Sequence, residues 1–198
     1  MSDNHALAQA VHDLGSAAWF GGSLMGVAGV NKSGEDLVNE LDRVRVANSA
    51  WSRFGPVEWA GIGATLLAGL RLTQVGKGRL ALQQGFGRTG TIKAGVAVAG
   101  AVATAWTTYC GTRIGKLTEE FAAQGRSVEV EDATTPTTGT PPEIAKWQKR
   151  QRVAQVTVPV LSGMNIVLGS YLVQSYRAGA TAKGVLHRVL PDRVAKLL

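Results

Sequence analysis

The side chains with chemical potential in this sequence are ionisable or strongly polar groups set at the edges of, or inside, apolar stretches. His12 and Asp13 are adjacent at the head of the first such stretch. Glu58 and Arg71 bracket the second, Arg113 closes the third, and Asn165 lies within the fourth. An ionisable group near hydrocarbon is costly and serves either a structural pair or a proton or ion path. The expected pairs are Asp13 with Arg71 and Glu58 with Arg113, each at one end of neighbouring helices. His5 and His12 are seven residues apart and share a helix face. With Met25, Met164 and Cys110 they are residue types that hold haem or copper. No two of them have the close spacing of a metal motif, so no metal or cofactor is expected. There is no Ser/His/Asp string in context, no paired carboxylates and no His-Glu-x-x-His, so an enzyme is not expected.

Gly85-Phe-Gly87-Arg-Thr-Gly90 matches the Gly-x-Gly-x-x-Gly string of dinucleotide sites. Its context does not fit: residues 79–84 do not read as a buried strand, and no acid follows at the ribose-binding distance. The string reads as a turn into a helix. Asn165 and Gln174 are placed to hydrogen-bond between helices, and Pro159 to kink the fourth. The single cysteine, Cys110, reads as a small buried hydrophobe.

The elements that position these groups follow from the segregation of charge. Over 198 residues the apolar fraction is 45% and the mean hydropathy only +0.05, yet the charges gather into a few segments. The intervening stretches approach the roughly 20 residues a helix needs to cross a hydrocarbon core of about 30 Å. The expected fold is all-α, a compact bundle of four transmembrane helices in one membrane domain. Its spans cover about 10–31, 54–75, 93–114 and 153–176. The second is the weakest, because Glu58 and Arg71 confine its clean centre. A soluble four-helix bundle is the competing reading. Small residues recur four apart at Ala18/Gly22/Gly26, Gly61/Thr65/Gly69 and Gly95/Ala99/Ala103, making flat stripes for close helix packing. Contact within one chain is the first expectation for these stripes, and a homo-oligomer face the second.

The net charge of +7 comes without zinc-finger spacing, an RNA-binding strand motif or a long basic helix, so no nucleic acid partner is expected. The stretch from Arg71 to Lys93 holds five bases and no acid, and the tail after Tyr176 five bases against Asp192. By the positive-inside rule the loop at about 76–92 and the tail at 177–198 lie in the cytoplasm. Both termini are then cytoplasmic, and the mixed loops at about 32–53 and 115–152 lie outside. No Lys or Arg precedes the first apolar run, which therefore does not read as a signal peptide. Ser33 and Asp36 resemble a helix-capping pair for a surface helix carrying Leu37, Leu41, Val44 and Trp51. Residues 134–143 are expected to be extended and mobile, with a helix resuming from Pro142. Trp51, Trp59, Trp106 and Trp147 lie near the outer ends, and Trp19 deeper.

The run from His12 to Met25 (HDLGSAAWFGGSLM) resembles the first helix of a family of small, uncharacterised bacterial membrane proteins, mainly actinobacterial. Ala50-Trp51 to Pro56 and Arg150-Gln-Arg-Val to Val158-Pro159-Val-Leu are further echoes. The resemblance implies four spanning helices and carries no activity or catalytic residue. His12 followed by Trp19-Phe-Gly-Gly also resembles copper-resistance membrane proteins, over too short a run to transfer a site. The functional expectation is an accessory, structural or interaction component of the plasma membrane. Its partners would be the lipid bilayer and a membrane protein or a second copy. A small transporter or ion-path subunit is the first alternative, and a haem or copper protein the second.

Overall fold

A computed structural model describes residues 3–76 and 86–174. Most of the basic loop (77–85) and the tail from 175 lie outside the described residues, as do the side chains of His5 and Gln174. All regular structure among the described residues is helical. The helices are α1 (Asp3–Met25), α2 (Glu40–Val75), α3 (Phe86–Ala123) and α4 (Pro142–Gln174). A π-helical turn (Gly26–Val30) and a 3-10 turn (Ser33–Asp36) join α1 to α2. One isolated β-bridge, Val130 to Pro136, is formed and no strand. Among the described residues only α4 is long and apolar enough to cross a membrane by length and composition, over Pro142–Val173.

The helices outrun the spans expected from the charge pattern. α2 has 36 residues and is about 54 Å long at 1.5 Å per residue. The surface helix expected before the second span is therefore part of the same rod, continuous through Pro56. Nor does Ser33 cap it. Ser33–Asp36 closes on itself as a tight turn, Leu37 is extended, and Asn39 is the cap, its Oδ1 accepting the Leu41 N–H at 3.0 Å. α3 ends at Gly125, whose φ of +68° suits the residue closing a Schellman turn. There the Arg126 N–H donates to the Phe121 carbonyl and the Gly125 N–H to that of Ala122, both at 3.0 Å. α4 resumes from Pro142, as expected.

The segment 124–141, which contains most of the 134–143 stretch expected to be mobile, folds down as a cap on one end of the bundle. Composition hid a local device. Asp132 is fully buried and its carboxylate accepts from the Thr134 amide, the Thr134 hydroxyl (3.0 Å) and the Thr135 hydroxyl (2.8 Å). Gln148 of α4 donates to the Asp132 and Ala133 carbonyls, and Arg43 of α2 to that of Val130 at 2.7 Å. Beneath the cap Val44, Ile114, Phe121, Val128, Val130 and Ile144 form an apolar cluster. Lys32 reaches Asp132 at 2.9 Å, and Arg45 of α2 grips Glu119 of α3 through two bonds of 2.7 and 2.8 Å.

α1 lies against α2 and α3 against α4 most extensively, and the two pairs meet along α1–α4 and α2–α3. Glycine sets the first pairing. A Cβ on Gly15 would sit 2.7 Å from the Gly61 carbonyl oxygen, and one on Gly61 2.9 Å from that of Gly15. Phe54 and Trp51 cover Gly22 and Gly26 in the same way. The first two small-residue stripes thus work inside the chain. The third does so only at Ala103, which packs against the Trp19, Ile62 and Val158 cluster; Gly95 and Ala99 face outward, and Gly100 takes the inward position against the Trp19 ring.

Two outcomes follow. Gly15→Ala lowers thermal stability, by about 1–3 kcal/mol for overpacking a tight site, whereas Gly63→Ala, where a Cβ meets nothing, does not; equal midpoints would show that the pair is not glycine-set. Burial alone would raise the Asp132 pKa. The bonds from Lys32, Thr134 and Thr135 outweigh it and hold the carboxyl below the ordinary 3.8. A carboxyl depressed on folding stabilises above its unfolded pKa, and that contribution is lost as pH falls through the folded one. Asp132→Asn therefore costs about 2 kcal/mol near neutrality. Melting curves of the two proteins should converge below pH 3.8.

Candidate functional site

The axis of the bundle is polar. His12, Ser16 and Ser23 of α1, Glu58 and Thr65 of α2, Thr104 of α3, and Ser162 and Asn165 of α4 are all at most 4% exposed. They surround two cavities. One, of about 340 Å³, lies at the capped end between Ser23, Asn31, Glu58, Thr108 and Gln151. The other, of about 460 Å³, lies at the opposite end between His12, Thr65, Lys93, Asn165 and Gly169. On α2, Glu58 and Gly69 mark the two levels, about 16 Å apart along the axis.

A barrier separates them. Trp19 is completely buried, packs with Ile62 and Val158, and donates from Nε1 to Thr104 Oγ1 at 3.1 Å. Its ring lies where a Cβ on Gly100 would sit, at 2.7 Å. Beside it the Ser16 and Thr65 hydroxyls are 3.2 Å apart, and Asn165 Nδ2 donates to Ser16 at 3.3 Å. The Asn165 Oδ1 is buried with no donor.

His12 stands between Asp13 and Lys93. The Nδ1–H donates to Asp13 Oδ1 at 3.1 Å, which leaves Nε2 to accept from Lys93 Nζ at 2.6 Å. Asp13 itself is exposed and also accepts from Gln9 at 2.8 Å. Neither pairing expected from the sequence is formed among the described residues. Arg71 is exposed on another face of α2 and does not reach Asp13. Arg113 stacks over the Trp147 ring at 5.9 Å, while Glu58 turns to the axis. At 4% exposure Glu58 lines the capped-end cavity with no hydrogen bond or ion pair from any described residue. Two helix ends at one level need not turn their charged residues toward one another.

Of the residues weighed for haem or copper, the His5 side chain lies outside the described residues and the other four are not assembled. His12 has both ring nitrogens engaged, Met25 and Met164 are exposed, and Cys110 is buried elsewhere on α3. Among the described residues no group of three or more His, Cys, Asp or Glu could hold a metal ion. Of the Gly-x-Gly-x-x-Gly string, residues 87–90 are in the first turns of α3 and Gly85 lies outside the described residues. Sequence reasoning missed Lys93, Thr65, Thr104 and the central role of Trp19. Trp19 did stand apart as the deep tryptophan, and Lys93 as the base nearest a span. No protein-family model, curated protein or solved structure matches this chain.

A double-mutant cycle tests the isolation of Glu58. Glu58→Gln and Arg113→Met should add to within about 0.5 kcal/mol, as for sites without direct contact. A coupling well beyond that would restore the ion pair.

Proposed function

We propose that the chain is a multi-pass plasma-membrane protein whose four helices all cross the bilayer, with both termini cytoplasmic, and that the bundle carries a small solute or ion path along its axis. The observation behind this reading is the reversal of polarity across the bundle. The polar residues named above are buried, while Leu7, Leu14, Leu67, Val102, Val153 and Val167 face outward at 63–74% exposure. In water that arrangement forfeits apolar burial and takes polar groups from solvent. In lipid it is the favourable one: outward side chains meet hydrocarbon, and helices associate through small residues and polar contacts. Gly, Thr and Ser lower the mean hydropathy of α1 to α3, but much of that polarity points inward. Trp59, Trp106 and Tyr109 are half-exposed at one level near the capped end, where a headgroup region would hold them. The helix ends beyond it support the cap.

Two cavities facing each other across Trp19, each with a few polar groups set in a mostly apolar wall, favour a small transporter or ion-path subunit over a purely structural component. The capped end is then external and the His12–Lys93 end cytoplasmic. A reporter inserted near Thr137 should read external, and one fused after Leu198 cytoplasmic; a cytoplasmic signal at Thr137 defeats this topology. In proteoliposomes Trp19→Ala should raise the flux of small ions several-fold over the unaltered protein. Equally tight vesicles from both proteins would defeat the path and leave the architecture.

A further inference from the structure

We propose that the capped-end cavity binds a small organic cation, a protonated amine or quaternary ammonium, with Glu58 as its counter-ion. The inference rests on the path reading for its biological use, but not for binding itself. Glu58 is 4% exposed and lines the cavity without a partner among the described residues. Taking an ionised carboxylate out of water costs several kcal/mol unless a positive charge answers it. The described residues offer none there: Arg53 is exposed, and Arg113 lies over Trp147.

The hydroxyls around Glu58 are spoken for in a particular way. On α3, Thr104, Thr107, Thr108 and Thr112 each donate to the carbonyl four residues earlier, at 3.0, 2.8, 2.9 and 2.9 Å. Ser23 donates to the Phe20 carbonyl at 3.0 Å. A hydroxyl has one hydrogen and two lone pairs, so once the hydrogen is committed to the helix it can offer the cavity only acceptors. Gln151 adds a buried Oε1 that no donor reaches. Asn48, Gln151 and Gln155 also bring amide N–H groups to the lining, but a carboxylate beside acceptor-only hydroxyls complements a ligand that brings positive charge and N–H or polarised C–H groups.

Size and walls select among cations. Ligands enclose a bare metal ion at about 2.0–2.6 Å, whereas 340 Å³ is in the range of small-molecule sites, which begins at about 300 Å³. Trp51 lines the cavity with its N–H already given to Asn31 Oδ1 at 2.9 Å. What remains to the ligand is the indole surface, which attracts ammonium groups. Val27, Ile114 and Val158 supply apolar wall for an organic body.

The test uses the purified full chain in detergent and isothermal titration calorimetry with benzylammonium chloride, benzyl alcohol as its neutral counterpart, and sodium and potassium chloride. Benzylammonium should bind saturably at one site per chain, and benzyl alcohol far more weakly. Glu58→Gln should weaken the ammonium by about 30-fold or more, the loss typical of a desolvated charge partner, while Glu58→Asp keeps the preference for amine over alcohol. Equal binding of amine and alcohol, unchanged affinity in Glu58→Gln, stoichiometric sodium or potassium binding in place of the amine, or no saturable binding at millimolar ligand would each overturn the assignment. Should Glu58→Gln fail to fold, the comparison of amine with alcohol on the unaltered chain decides. Binding without flux would leave this site standing and remove the path; ion flux through Trp19→Ala without amine binding would do the reverse.

Discussion

The arrangement depends on how closely α1 approaches α2. Gly15 and Gly61 bring two backbones together where neither could carry a Cβ without displacing the other. That contact makes α1 and α2 one closely packed unit, with α3 and α4 as its counterpart. The interface between the units is of another kind. It combines two apolar clusters with long or polar side chains: Trp19 to Thr104, Asn31 to Gln155, Asn165 to Ser16, Lys93 to His12, Lys32 to Asp132 and Arg45 to Glu119. Polar side chains fix orientation through a few directional bonds but do not fill space as interdigitated aliphatic groups do. Two cavities remain in that interface, one on either side of its most completely buried ring.

The same division explains where the chain tolerates polarity. Most of the axial groups answer one another or their own helix backbone, so their burial is largely compensated. Three exceptions lie at the cavities: the Glu58 carboxylate, Gln151 Oε1 and Asn165 Oδ1. Unmatched acceptors thus stand beside both empty volumes, where a ligand would meet them, while Arg113 Nε, Thr118 Oγ1 and Gln148 Oε1 are buried without a partner away from the cavities.

Much of the architecture was legible because charge exclusion is a coarse signal. The charge-free windows located four helices, the proline at 142 marked where the last resumes, and the bracketing charges identified the residues of interest. Rotation about each helix axis was not legible. At about 100° per residue, five positions separate Gly95 from Gly100 and turn one outward and the other inward, so a stripe chosen by spacing alone fell mostly on the wrong face. Glu58 and Arg113 fail to meet for the same reason. Lys93 and His12, 81 residues apart, could not be joined without knowing that α1 crosses near the start of α3. Residues 134–143 misled through composition: threonine and proline suggest an unstructured loop, whereas the buried Asp132 just before them organises Thr134 and Thr135 around it.

Pro56 and Pro159 lie within α2 and α4, near the level of the capped-end cavity. Each ring removes a backbone hydrogen bond and weakens its helix against bending at that point. One proline falls in each unit, with the glycine contact and Trp19 on one side and the bonded cap on the other. Both helices therefore lack a backbone bond at the section that encloses Glu58. Bending there would alter the width of the chamber around the carboxylate and leave the bonds of the cap and the glycine-set pair in place.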